Sequence, residues 1–187
     1  AVVEDRAEGE TLAAGLDDRA AELELSEREL LLEPAIAVRV AALHRIAGAH
    51  RAAGQREGEA RTLLRLLGVH PNDGSALDRL AALYREAGDA ERLLAVDELR
   101  VTAAPDALTR RQLLFEMASV ARTWRSDDDR MLGYLGRALS EGREDAHVLD
   151  TVDAALRETG HDAERVTHLE ARAASTPDPA TAVGLLL

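Results

Sequence analysis

The chain has 187 residues and a formal net charge of -12, and with no dense basic run that charge repels phosphate backbones, so general nucleic-acid binding is excluded. Hydrophobic residues make up 46% but aromatics only 2%, a balance carried by Ala and Leu that points to an all-α fold and away from a β-sandwich. The absence of cysteine removes disulfides and thiolate metal sites, and no apolar run approaches the ~18 residues a membrane span needs.

The opening residues, Ala1-Val2-Val3-Glu4-Asp5-Arg6, lack the basic start and apolar core of a secretory signal, so a cytoplasmic location is expected. Residues 1–36 offer only Gly15, Leu23, Leu30 and Pro34 as anchors and read as a degenerate helical unit. From there a pattern sets in: an apolar or small residue at x, x+3, x+4 and x+7, one buried stripe of an α-helix, with a turn residue at x+11. It reads Leu43, Ile46, Ala47, His50 and Gly54; then Leu77, Leu80, Ala81, Tyr84 and Gly88. It continues as Leu114, Met117, Ala118, Ala121 and Arg125, and as Leu149, Val152, Asp153, Leu156 and Gly160. The third instance lacks its glycine, and the fourth has Asp153 where a small residue is expected.

Glycine ends each such helix in the left-handed conformation, and an acidic residue just beyond it, Asp89 or Asp162, is placed to cap the next. The second helices carry stripes of Leu63, Leu64 and Leu67, of Leu93, Val96 and Leu99, and of Met131, Leu135 and Ala138. Pro71, Pro105 and Pro177 then break the chain before the next unit. The sequence stops at Gly184-Leu185-Leu186-Leu187 inside a helical pattern with no C-cap, as expected of a piece of a longer array.

Periods of this size mean stacked helical hairpins. The residues resemble the tetratricopeptide repeat, whose pattern has a large apolar residue, an apolar and small pair, an aromatic, a glycine turn, an alanine early in the second helix and a closing proline. Ser75 to Asp106 is the best match, with Leu77, Leu80, Ala81, Tyr84, Gly88 and Pro105 in register and Leu93 in place of the second-helix alanine. Val40 to Asp73 follows closely, with His50 in the aromatic place and Ala60 one residue late. The resemblance implies a right-handed α-solenoid of antiparallel helix-turn-helix repeats, with units at about 1–36, 37–73, 74–106, 107–145 and 146–178 and the start of a sixth at 179–187. Pro34, Pro105 and Pro177 each precede a leucine by nine residues, so a longer period overlies the short one, and Thr181 onward is expected to begin the sixth unit.

The resemblance also implies that the first helix of each hairpin lines a concave face whose outward side chains meet peptides or partner helices. The place one beyond x+7 holds Arg51, Arg85, Arg122 and Arg157, a recurring guanidinium suited to an acidic partner, although a cation near a helix C-terminus is also worth about 0.3–1 kcal/mol against the macrodipole. Glu86 and Glu158 are expected to neutralise part of that charge. The place after x holds His44, Asp78, Phe115 and Asp150, which is not the Lys and Asn clamp that the family uses on chain-terminal carboxylates, so chaperone-tail binding is disfavoured.

No pair of histidines has the i, i+4 spacing of a helical metal site, and Asp127-Asp128-Asp129 reads as a helix start rather than a calcium loop. Nothing resembles a phosphate loop, a nucleophile elbow or a carboxylate pair, so no catalysis and no cofactor are expected. The function expected is a protein-interaction scaffold binding a protein or peptide, with no nucleic acid and no membrane. The alternatives are a self-assembling solenoid component and a docking or regulatory segment of a larger enzyme.

Overall fold

A computed structural model describes residues 21, 23–28, 35–142, 145–176, 178, 181 and 183–184, and they are helices joined by short turns. The degenerate first unit, apart from 21, 23–28 and 35–36, lies outside the described residues, as do Pro34, Pro177, Arg143, Glu144 and most of the expected sixth unit. The chain divides into two compact units, residues 1–87 and 88–187. None of the described helices is long and apolar enough to cross a membrane.

The first unit contains α1 (Ile36–Ala52), α2 (Arg56–Val69) and α3 (Gly74–Ala87), each packed on the next. On α1 the stripe of Leu43, Ile46 and Ala47 is at most 5% exposed. The stripe of α3, Leu77, Leu80, Ala81 and Tyr84, is buried as expected of a 3.6-residue period. His50 is only half-buried in its aromatic place, where its Nδ1 meets Gln55 Oε1 at 2.7 Å. Gly58 lies against this ring: a Cβ there would come 2.7 Å from Nδ1.

The second unit contains α4 (Ala90–Ala103), α5 (Ala107–Arg125), α6 (Asp128–Ser140), α7 (Ala146–Glu158) and α8 (Asp162–Ser175). Leu114, Met117, Ala118 and Ala121 of α5 and Met131, Leu135 and Ala138 of α6 form its densest core. Two expected stripe residues are on the outside instead: Leu64 is 50% exposed and Leu99 47%, while Leu66, Leu94 and Val101 take the buried places. On these helices the apolar residues outnumber the buried positions, so a leucine count does not fix which edge faces inward. In α7, Val148 is buried and Leu149 only half-buried, for a related reason. Behind Leu149 the space between α6, α7 and α8 is a cavity of about 870 Å³ lined by small side chains such as Gly136, Ser140, Ala146 and Ala171. No residue of α8 is fully buried.

Gly54, Gly88 and Gly160 all have φ near +70°, so the three glycine turns form as expected. The turn without glycine does not fall at Arg125: α5 runs through that residue, and Ser126 takes the left-handed conformation at φ 52° and ψ 39°. Ser126 stands twelve residues beyond Leu114 rather than eleven, which is why the spacing misplaces it. A left-handed non-glycine residue costs ~1–2 kcal/mol, and glycine returns ~0.4–1 kcal/mol of that through a freer unfolded chain. Ser126→Gly is therefore expected to stabilise the protein by about 0.5–1 kcal/mol, read as a rise in the urea midpoint. A fall in that midpoint would contradict it.

Caps follow the acidic residues. Asp89, Asp106, Asp127 and Asp145 each accept a backbone N–H of the helix they precede, at 2.7–3.0 Å. Asp127 is thus the cap in its acidic run, and Asp128 and Asp129 sit in the first turn of α6. Asp162 is not a cap; it opens α8 as its first residue, behind His161.

Charged side chains occupy two places that the repeat reserves for packing. Sixteen residues beyond Leu43, Leu77 and Leu149 stand Glu59, Leu93 and Arg165. Leu93 is buried, and Glu59 is buried as deeply, 1% exposed. Asp153, four beyond Leu149 where Ala47 and Ala81 stand in the earlier repeats, accepts from Arg165 Nε at 2.7 Å. An ion pair there stands where an earlier repeat has Ala81 and Leu93.

Candidate interaction surface

In the first unit the outward places of α1 and α3 hold His44, Arg51, Asp78 and Arg85. His44 Nε2 lies 2.9 Å from Asp73 Oδ2, and His70 Nδ1 reaches the same oxygen at 3.5 Å. Asp73 also accepts the Ala76 amide at 2.9 Å, so it caps α3 while it binds α1. Burial alone would push its carboxyl up, and the Ala76 amide and the two imidazoles outweigh that, leaving it below the ordinary aspartate value.

Arg51 donates through Nε to Glu59 at 3.0 Å, and Arg79 of α3 grips the same carboxylate at 2.7 and 3.0 Å. Burial pushes Glu59 up as well, and the bonds and charges of Arg79 and Arg51 reverse this, holding it below the ordinary glutamate value. Arg51 is therefore joined to its own unit's interior, although its side chain is 58% exposed. Arg85 and Asp78 are exposed on α3. Glu86 faces Arg56 at 3.3 Å and Arg79 at 3.8 Å rather than a member of the arginine series.

In the second unit the geometry brings two candidates together. Phe115 of α5 faces His147 of α7, ring centres 5.7 Å apart and tilted by 48°. Beside this pair runs a groove of about 450 Å³. Its floor is Ala118, Met131, Leu135 and Ala155; its walls are Phe115, Ser119 and Arg122 on α5 against Thr151, Ala154 and Glu158 on α7. Arg122 Nη1 spans the groove to Glu158 Oε2 at 2.7 Å. One turn before Phe115, Arg111 Nη1 meets Asp145 Oδ2 at 3.0 Å, and a Cβ on Gly142 would collide with that guanidinium. The order of these three contacts means that α5 and α7 run parallel.

The other two candidates lie apart from the groove. Asp150 accepts from Arg172 of α8 at 2.7 Å, and Arg157 is exposed at the end of α7. Glu158 thus neutralises Arg122, thirty-six residues away in sequence, and not its neighbour Arg157. Sequence reasoning missed Glu59, Asp73, Arg79 and Asp97. The last is fully buried on α4 and bonded to Arg100 at 2.8 Å. The signal of Glu59, Asp73 and Asp97 was a carboxylate at a stripe or cap place, which demands a nearby cation or amide, as Arg79 supplies for Glu59. Among the described residues no group of three or more His, Asp or Glu could hold a metal ion.

No family model and no curated protein matches the chain. Solved structures do. The N-terminal domain of stress-induced protein-1 (STI-1) from C. elegans superposes with a TM-score of 0.50 at 16% identity, over 66% of this chain and 98% of that one. A tetratricopeptide repeat protein from Parabacteroides merdae gives 0.49 at 15% identity, over 98% of this chain and 70% of that one. The MamA protein gives 0.45 at 16% identity, over 79% and 78%.

Proposed function

We propose that this chain, which has the all-α, tetratricopeptide-like helical-repeat fold, is a non-catalytic scaffold that docks a peptide or partner protein on the outward side of its first helices. Its working units in this reading are the hairpins of about 37–73, 74–106, 107–145 and 146–178. The observation that carries it is the groove between α5 and α7, where Phe115 and Arg122, chosen from sequence as outward residues, line one wall. Size supports the reading, since sites that take a bulky group enclose about 300–1,000 Å³. The rival within it is an acidic partner read by Arg51, Arg85, Arg122 and Arg157. Against that rival, Arg51 and Arg122 already hold Glu59 and Glu158.

Selection of binders from a displayed random-peptide library tests the proposal. Peptides recovered on the purified chain are expected to bind a Phe115→Asp variant at least about tenfold more weakly, a loss of ~1.4 kcal/mol, with the variant's helical circular dichroism unchanged. If every recovered binder ignores Phe115, the groove is not the docking site.

A further inference from the structure

Resting on that scaffold reading, we infer that the α5–α7 groove selects its partner by one bulky uncharged side chain, of leucine, methionine or phenylalanine type, and not by a carboxylate. The groove offers carbon and no spare positive charge. Its floor is the buried set Ala118, Met131, Leu135 and Ala155, and the Phe115 ring stands half-buried at its edge. Two of the three hydroxyls on its walls have given their protons away: Thr123 Oγ1 donates to Ser119 O and Thr151 Oγ1 to His147 O, both at 2.7 Å. Neither is left to donate to an incoming anion.

The charges along the groove match one another. Arg122 faces Glu158 and Arg111 faces Asp145, so each guanidinium already has a carboxylate from the opposite helix. An acidic ligand would have to displace Glu158 from Arg122 while lying beside it, exchanging one ion pair for another and adding a like-charge contact. An apolar side chain needs no such exchange. It enters between the two pairs, and its affinity comes from the area taken out of water.

The test uses the purified chain and an array of 12-residue peptides randomised at each position, read at 50 and 500 mM NaCl. Binding is expected to concentrate on peptides with one Leu, Ile, Met or Phe anchor. Replacing that anchor by Ser should weaken binding about ten- to hundredfold, and the two salt concentrations should differ by less than about twofold. Two variants should abolish it, Phe115→Ser, which removes the edge, and Ala154→Met, which fills the groove. Ala154 is only half-buried, so the second keeps the test valid if the first does not fold. Binding that needs acidic residues, falls tenfold or more with salt and is lost in Arg122→Ala but kept in Ala154→Met would overturn the inference and leave the scaffold standing. An array on which nothing binds would overturn both.

Discussion

Glu59→Gln, which removes the charge and keeps the volume, is expected to destabilise the first unit by about 2–3 kcal/mol. Removing one partner of a buried ion pair generally costs about 3–5 kcal/mol because the other charge is stranded. Here the figure is smaller, since Arg79 keeps 25% of its side chain in water and Arg51 keeps 58%. Urea unfolding at pH 7 measures it. The same carboxylate makes the protein acid-sensitive in a definite direction. Its folded-state pKa is depressed below 4.5, so its contribution is complete above the unfolded value and is lost as pH falls from about 5 through the folded value. The gap between wild type and Glu59→Gln should therefore narrow from pH 7 to pH 3. A gap that stays constant over that range would mean the carboxylate's charge is not what stabilises the site.

The second expectation concerns the fourth repeat. Asp153→Ala alone should cost about 1–2 kcal/mol, because Arg165 loses a partner at 2.7 Å in a site where the two side chains are only 20% and 32% exposed. Asp153→Ala combined with Arg165→Ala should recover most of that loss. The double variant restores at position 153 the small residue that the repeat carries there as Ala47 and Ala81, and it leaves no stranded charge on α8. A double-mutant cycle reads the coupling, expected at about 1–2 kcal/mol. Additive losses would show that the two residues contribute independently of their bond.

Most of the helices were legible because a 3.6-residue period survives any choice of side chain that keeps its apolar face. Leu43, Leu77, Leu80, Leu114 and Met117 needed no partner to be placed inside. What failed had to be decided by tertiary context. Leu64 and Leu99 satisfy a helical period on a face that water covers. The turn at Ser126 depends on one additional residue in α5, which a fixed spacing cannot absorb. The candidate surface was legible as a set of positions and not as chemistry. The partners of the arginine series come from elements eight to thirty-six residues away, Glu59 for Arg51 and Glu158 for Arg122, and no count of adjacent charges gives them. Phe115 was the most informative of the eight residues because an aromatic at an outward place has no explanation within its own helix.

The absence of a fully buried residue on α8 gives that helix a different thermodynamic character from α5 and α6. Polar ties join it to α7: Arg165 to Asp153, Arg172 to Asp150, and His168 Nε2 to Leu149 O at 3.2 Å. Apolar burial is indifferent to moderate salt, whereas half-exposed ion pairs weaken as the screening length shrinks from ~10 Å at 0.1 M to ~3 Å at 1 M. Ionic strength thus acts on this unit as a selective solvent variable. It loosens the α7–α8 contact, raising amide exchange there by local opening, while leaving the α5–α6 core where it was.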